Sequence, residues 1–357
     1  MKKSKLTNLA TEGFYMPAEW ETHSSTMLIW PHNRSTWPGE TLEKVEAVYV
    51  EIIKNLHTYE PILLFVADEN IRGKVVGLFE KHQIKTDLVK IVVQPVNDIW
   101  ARDCGPIFIK NKTNQFLITN WEYNSWGEKY PPWSDDNQLP LWIAASFGLT
   151  AYSTNMVLEG GSIETNGEGL FLTTESVLLN KNRNPTLSKK DIEEYLKNYL
   201  GAEKVIWLKE GLTGDDTDGH IDDLTRFVNK NTVITAYAND EGDVNYRVLN
   251  ENYERLKSSK DQNGNLLNVI PIPVPKTKIE GETVDGSEYV PASYANFYIA
   301  NGVVLVPLYD EHFDEEILDL FAEYFPDRDI KGIHCADLVW GQGSIHCVTQ
   351  QLYDVTF

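Results

Sequence analysis

Three times along this 357-residue chain, an apolar run, a helical stretch and a second apolar run follow one another. PILLFVA (61–67), ENIRGKVVGLFEKHQ (69–83) and VKIVVQPV (89–96) form the first unit. GLFLTTESVLL (169–179), LSKKDIEEYLKNYLG (187–201) and EKVIWL (203–208) form the second. GVVLVPLY (302–309), FDEEILDLFAEYF (313–325) and DIKGIHC (329–335) form the third. The outer runs are rich in β-branched residues, and the middle stretches space apolar residues three or four apart, so each unit predicts strand, helix, strand. Ser188 with Asp191 three residues on predicts a capped helix start, and Gly201 predicts its stop. Further helices are expected near 41–57, 137–147 and 245–258. Such units build an α/β fold, either a wound parallel sheet or a ring of modules, and the periodicity does not choose between them. No Ser/Pro/Gly-rich linker divides the chain, so residues 1–357 are expected to form a single domain.

Four stretches at the edges of apolar runs carry chemically capable side chains: NDIWARDCGP (97–106), LEGGSIE (158–164), GDDTDGHIDD (214–223) and GQGSIHC (341–347). Loops at strand ends are where such groups usually act. If His220 opens a strand, alternation puts His220 and Asp222 on one face, so an imidazole and a carboxylate share a site. The competing reading is a solvated acidic turn. A calcium loop fits less well, because it needs an acid where Gly214 stands. In a strand, His346 and Cys347 face opposite sides, which makes His346 a poor base for that thiol and favours the distant His220. Cys347 could instead be a small buried apolar residue. His–Cys pairs at 334–335 and 346–347 admit a zinc reading, but alternation separates the members of each pair. Arg102 and Asp103 could be a buried ion pair at a turn, and Glu159 before two glycines an exposed acid. Together, a thiol, an imidazole and three carboxylates form a kit in which acids clamp a planar cation while sulfur attacks its carbon.

Composition narrows the partners. A net charge of −21 repels nucleic acid and anionic membranes and favours cationic ligands. Neither GxGxxG nor GxxxxGK[ST] occurs, so no nucleotide site has motif support. No apolar segment approaches the roughly 20 residues a membrane span needs. The N-terminal MKKSKLTNLATEGF lacks a signal-peptide apolar run. Three cysteines without a CxxC spacing predict a reducing, cytoplasmic setting, with Cys104 and Cys335 structural. A homo-oligomer is left open.

The chain resembles the agmatine deiminase family, within the wider guanidino-group-modifying enzymes that include bacterial peptidyl-arginine deiminases. The resemblance runs nearly end to end, through GFYMPAEWETHSSTMLIWP, WARDCGP, LEGGSIET, NRNP, GDDTDGHIDD, SYANFYIANGVVLVPLY and GSIHCVTQQ. It implies an α/β propeller of five ββαβ-type modules about a pseudo-fivefold axis, with the active site at its centre. Six candidate helices are then one more than a minimal count. The resemblance also implies roles. Cys347 is the nucleophile and His220 the acid–base residue; Asp103 and Asp222 hold guanidinium N–H groups. Glu159 faces the guanidinium and helps position His220, while Trp100 lines the pocket. It implies neither metal nor organic cofactor. The stretch 116–136 has Lys129 as its sole basic residue beside Trp121, Trp126 and acids, and Asp215 and Asp216 adjoin His220. Acids and aromatic faces suit an ammonium, which favours agmatine, with Asp216 and Trp126 expected at its distal end. WGQGS stands where many agmatine deiminases carry three glycines followed by asparagine. Another guanidine, such as free or peptidyl arginine, and a non-catalytic polyamine- or metal-binding protein on this fold remain the alternatives.

Overall fold

The computed structural model describes residues 7–276, 286 and 288–357; the basic start MKKSKL lies outside the described residues. Among these, sixteen strands form five small mixed sheets, one of four strands and four of three. The three-stranded sheets share one plan. In the second sheet, Ile107–Lys110 runs antiparallel to Phe116–Glu122, which runs parallel to Ala151–Val157 after the helix Leu139–Phe147. The third, fourth and fifth sheets repeat this plan around the helices Lys189–Leu200, Tyr246–Ser258 and Asp314–Tyr324.

The first sheet departs from the plan. Ser25–Ile29, Ile62–Val66 and Val89–Val93 are all parallel, joined by the helices Thr41–Leu56 and Glu69–His82. Their antiparallel partner is the last strand of the chain, Gln350–Leu352, in register Thr26↔Gln351. The five modules thus close on themselves as a five-module α/β propeller. The extra parallel strand of the first sheet accounts for the sixth helix that the sequence predicts.

Local sequence explains these elements. Ile62–Val66 and Val303–Leu308 are buried at every position, as strands covered on both faces require. Ser188 and Asp191 form the reciprocal capping box, and Gly201 ends that helix at φ 75°, a conformation glycine adopts without strain. All three cysteines are free and buried in the apolar cluster around the first sheet.

The topology leaves five junctions, each running from the last strand of one sheet to the first strand of the next. They span residues 94–106, 158–163, 209–224, 274–297 and 335–349. Four end in a short helical turn: Ala101–Cys104, Gly160–Ser162, Ile221–Asp223 and Ile345–Val348. Neighbouring turns pack together, 101–104 against both 160–162 and 345–348, and 160–162 against 221–223. Residues far apart in sequence are thereby delivered to one place.

Candidate active site

Every junction contributes to one buried cluster. Cys347 Sγ lies 3.8 Å from Asp222 Oδ2. His220 Nδ1 lies 4.0 Å from the other oxygen of Asp222 and 3.7 Å from Asp103 Oδ1. The thiol and the imidazole therefore flank the same carboxylate. Gly161 supplies the floor: its N–H donates to Asp103 Oδ1 at 3.0 Å. A Cβ there would sit 2.7–2.9 Å from His220 Nδ1, Asp103 Oδ1 and Asp222 Oδ2, so any side chain would occupy the space between them. Gly343 is similarly confined, because a Cβ would meet Trp100 at 2.5 Å and Cys347 Sγ at 3.1 Å.

Neither histidine segment is the strand the sequence suggests. His220 is extended but leads into the turn Ile221–Asp223, and Cys347 sits on the single helical turn Ile345–Val348. A distant side chain holds that turn in place. Asn296 Oδ1 accepts from the backbone N–H groups of His346 (2.9 Å) and Cys347 (3.4 Å). Its Nδ2 donates to Cys347 Sγ at 3.1 Å and to Asp223 Oδ1 at 2.9 Å. The strand alternation that would send His346 and Cys347 to opposite faces is therefore absent, and both side chains reach the same oxygen, Asp222 Oδ2.

The other candidates divide. Trp126 Nε1 donates to Asp103 Oδ2 at 2.9 Å, and its ring meets the edge of Trp100. It is carried on a left-handed turn, Ser125–Glu128, in which all four φ angles are positive, a costly conformation for three non-glycine residues. Asn124 and Ser125 brace the turn through bonds to Gly127 N–H and the Tyr130 carbonyl. Asp216 lines the pocket and accepts from Tyr130 Oη. Trp121 lies elsewhere, packed against Tyr195 and Tyr199. Asp215 braces the loop by accepting from Thr217 and His220 N–H groups. Arg102 and Asp103 do not form the ion pair offered as the alternative: Arg102 pairs with Glu19 at 3.0 Å, while Asp103 accepts from Trp126 and Gly161. Glu159 is fully buried; one oxygen accepts from Arg183 Nε and the other has no partner among the described residues.

A narrow pocket opens beside Cys347, lined also by Thr36, Asp98, Trp100, Asp103, Trp126, Tyr130, Asp216 and Gln342. No lysine or arginine is among its described lining residues. Beneath it, both nitrogens of His220, Asp222 Oδ1, Asp223 Oδ2 and Glu159 Oε2 are buried without a hydrogen-bond partner among the described residues. Burial, with Glu159 nearby, raises Asp103 to about 7. Burial and the Asp103 charge raise Asp222 well above the carboxylate range. Burial, then the charges of Asp222, Asp223 and Asp103, push the Cys347 thiol up. Burial, with Arg183 and Lys129 nearby, keeps His220 neutral. Asp222, Asp223 and Cys347 also place one donor atom each within 4.8 Å of one another, whereas no cluster among the described residues joins the two His–Cys pairs.

Sequence reasoning missed Asn296, Asp223, Asp98, Glu19 and Arg183 as parts of this assembly. Asn296 had a signal: four quoted motifs mark four junctions, and SYANFY sits at the fifth.

Fold and site define an α/β propeller with a buried thiol beside an acidic pocket. Residues 15–352 match the Porphyromonas-type peptidyl-arginine deiminase family, and the chain belongs to that family. A relative from Legionella pneumophila (strain Paris), named as a candidate agmatine deiminase, is 39% identical over 343 residues, 95% of either chain. The structure of the agmatine deiminase of Enterococcus faecalis is similar at a TM-score of 0.89 and 32% identity, covering 99% of both chains. A cysteine-to-serine variant of C. jejuni agmatine deiminase with substrate bound is similar at a TM-score of 0.84 and 31% identity, covering 95% of this chain and 96% of that one.

Proposed function

We propose that this chain is an agmatine deiminase, hydrolysing agmatine to N-carbamoylputrescine and ammonia through a covalent intermediate on Cys347. The observation that carries this reading is the group of buried polar atoms beside the thiol that have no partner among the described residues: Asp222 Oδ1 and Glu159 Oε2, which accept, and the two ring nitrogens of the neutral His220, one of which accepts. A guanidinium offers several N–H donors in one plane and answers them together.

The steps follow from the electrostatics. Asp103, Asp222 and Glu159 take the cation and hold its carbon against Sγ. The arriving positive charge offsets the acids that keep Cys347 protonated, so the thiol gives its proton to His220. Sulfur then bonds to the guanidinium carbon. His220 returns the proton to the departing nitrogen, the C–N bond breaks and ammonia leaves an S-alkylthiouronium. Water gives a proton to His220 as its oxygen adds to the same carbon. The C–S bond breaks as the new hydroxyl gives its proton to the Cys347 sulfur, the ureido product leaves, and His220 releases its proton to water, which restores the thiol and the neutral imidazole. Trp100 and Trp126 wall the alkyl chain, and Asp216 with Asp98 faces the distal ammonium.

The same pocket disfavours free arginine, whose carboxylate would enter a space lined by Asp98, Asp103 and Asp216, where the nearby Lys129 is already held by Asp218 and the Asp216 carbonyl. Ammonia release from agmatine, arginine and a blocked arginine peptide tests this reading. Agmatine should lead in kcat/KM by about 100-fold or more. Arginine or the peptide as the better substrate would overturn it.

A further inference from the structure

His346 has no part in the chemistry above, yet it is fully enclosed between two carboxylates. Its Nδ1 lies 2.6 Å from Asp222 Oδ2, and its Nε2 lies 2.9 Å from Glu19 Oε2. Glu19 also pairs with Arg102 at 3.0 Å and Arg226 at 2.8 Å and accepts from the Ile299 N–H at 2.8 Å. Burial alone would raise Glu19, but Arg226, His346 and Arg102 outweigh it and hold the carboxyl well below its usual range. An ionised Glu19 only accepts, so the proton on Nε2 is fixed.

One proton then lies between Nδ1 and Asp222 Oδ2. Either a protonated Asp222 donates to a neutral ring, or a carboxylate faces an imidazolium. The surroundings of the free site decide. Asp222 is faced by Asp103, Asp215, Asp223, Cys347 and His220, with Arg226 and Arg102 behind. His346 is faced by Arg102, Arg226 and Glu19. Burial and neighbouring acids push Asp222 up, while burial and the two guanidiniums push His346 down, so the proton rests on Asp222. A guanidinium beside Asp222 reverses that balance, because a cation there favours the carboxylate.

We propose that His346, backed by Glu19, is a positioning residue that takes the Asp222 proton when a guanidinium arrives and gives it back when product leaves. The O–H bond at Asp222 Oδ2 breaks as the N–H bond at His346 Nδ1 forms, and no proton crosses to solvent. Asp222 is neutral while the site is empty and anionic only when a cation is present to be held. The inference rests on the guanidinium-binding reading of the site.

The test is ¹⁵N NMR of the His346 ring, assigned through its own backbone resonances, in the Cys347→Ser protein with and without agmatine. Methylguanidine serves as a second probe that lacks the distal ammonium. The free protein should show a neutral ring with an unprotonated Nδ1, and the complex an imidazolium. An imidazolium in the free protein, or a neutral ring in both states, would overturn the relay. The free-protein spectrum needs no ligand, so a failure of agmatine to bind would count against the substrate and not against the relay. A second measurement uses His346→Gln in the otherwise unchanged enzyme. The acidic limb of its kcat/KM profile should move up by about one pH unit or more, KM at pH 7 should rise about tenfold, and activity should recover in alkali. A loss of the same size at every pH would mean packing alone and would also overturn the relay.

Discussion

Asp103 shows how single residues are set against their own stability. Its carboxyl accepts from Trp126 Nε1 and the Gly161 N–H, yet burial and Glu159 still lift it from 3.8 to about 7. In the unfolded chain it ionises near 3.8, so between about pH 4 and 7 the folded chain binds more protons and stability falls as pH rises. Asp103→Asn should therefore show a shallower decline of Tm across that window than the wild type. It should also lose about 10³-fold or more in kcat/KM, since an amide cannot balance the substrate charge. Tm curves that fall in parallel, measured by calorimetry from pH 4 to 8, would show that Asp103 is already ionised in the free enzyme.

The elements that matter most for the site are the short turns that end four of the five junctions. Gly161 lies in one of them, and a methyl there would fill the gap between His220, Asp103 and Asp222. Gly161→Ala puts no strain on the backbone, because this glycine is absent from the positive-φ positions, but its methyl must displace the three side chains it meets at 2.7–2.9 Å. Its kcat/KM should fall about 100-fold or more, with a far-ultraviolet spectrum like the wild type. Wild-type turnover in that variant would remove the space from the account. The long helices were legible because their apolar period and caps are local, as at Ser188, Asp191 and Gly201. The turn bearing Cys347 was not, because the stretch around it reads as a strand until Asn296, 51 positions away, pins its backbone as a helical turn. Glu19 was illegible for the same reason: its bond to His346 spans 327 positions. The motifs marked which loops carry chemistry, and the resemblance, not the periodicity, chose a ring over a wound sheet.

At the scale of the molecule, five sheets closing through Thr26↔Gln351 bring five junctions to one centre and concentrate acids there. Burial raises Asp136 to about 8 and Glu164 to about 6, as it does Asp103, while the chain carries a net charge of −21. Each raised carboxyl removes stability as pH climbs from its unfolded to its folded value. Glu19, Glu60 and Asp218 are depressed despite burial, because cationic and hydrogen-bonding partners outweigh it, and their contribution is lost in acid. The free protein should accordingly have its highest Tm near pH 5 and a lower one at pH 8; a Tm that rises steadily to pH 8 would contradict this. The convergence of Cys347 with the acids is the claim on which the rest stands, and it is tested most directly by quenching the enzyme in acid during turnover of agmatine and weighing its peptides. The Cys347 peptide should gain the mass of agmatine less ammonia, and ammonia release should vanish in Cys347→Ala. An unmodified Cys347 peptide, together with ammonia release that survives the substitution, would contradict the account.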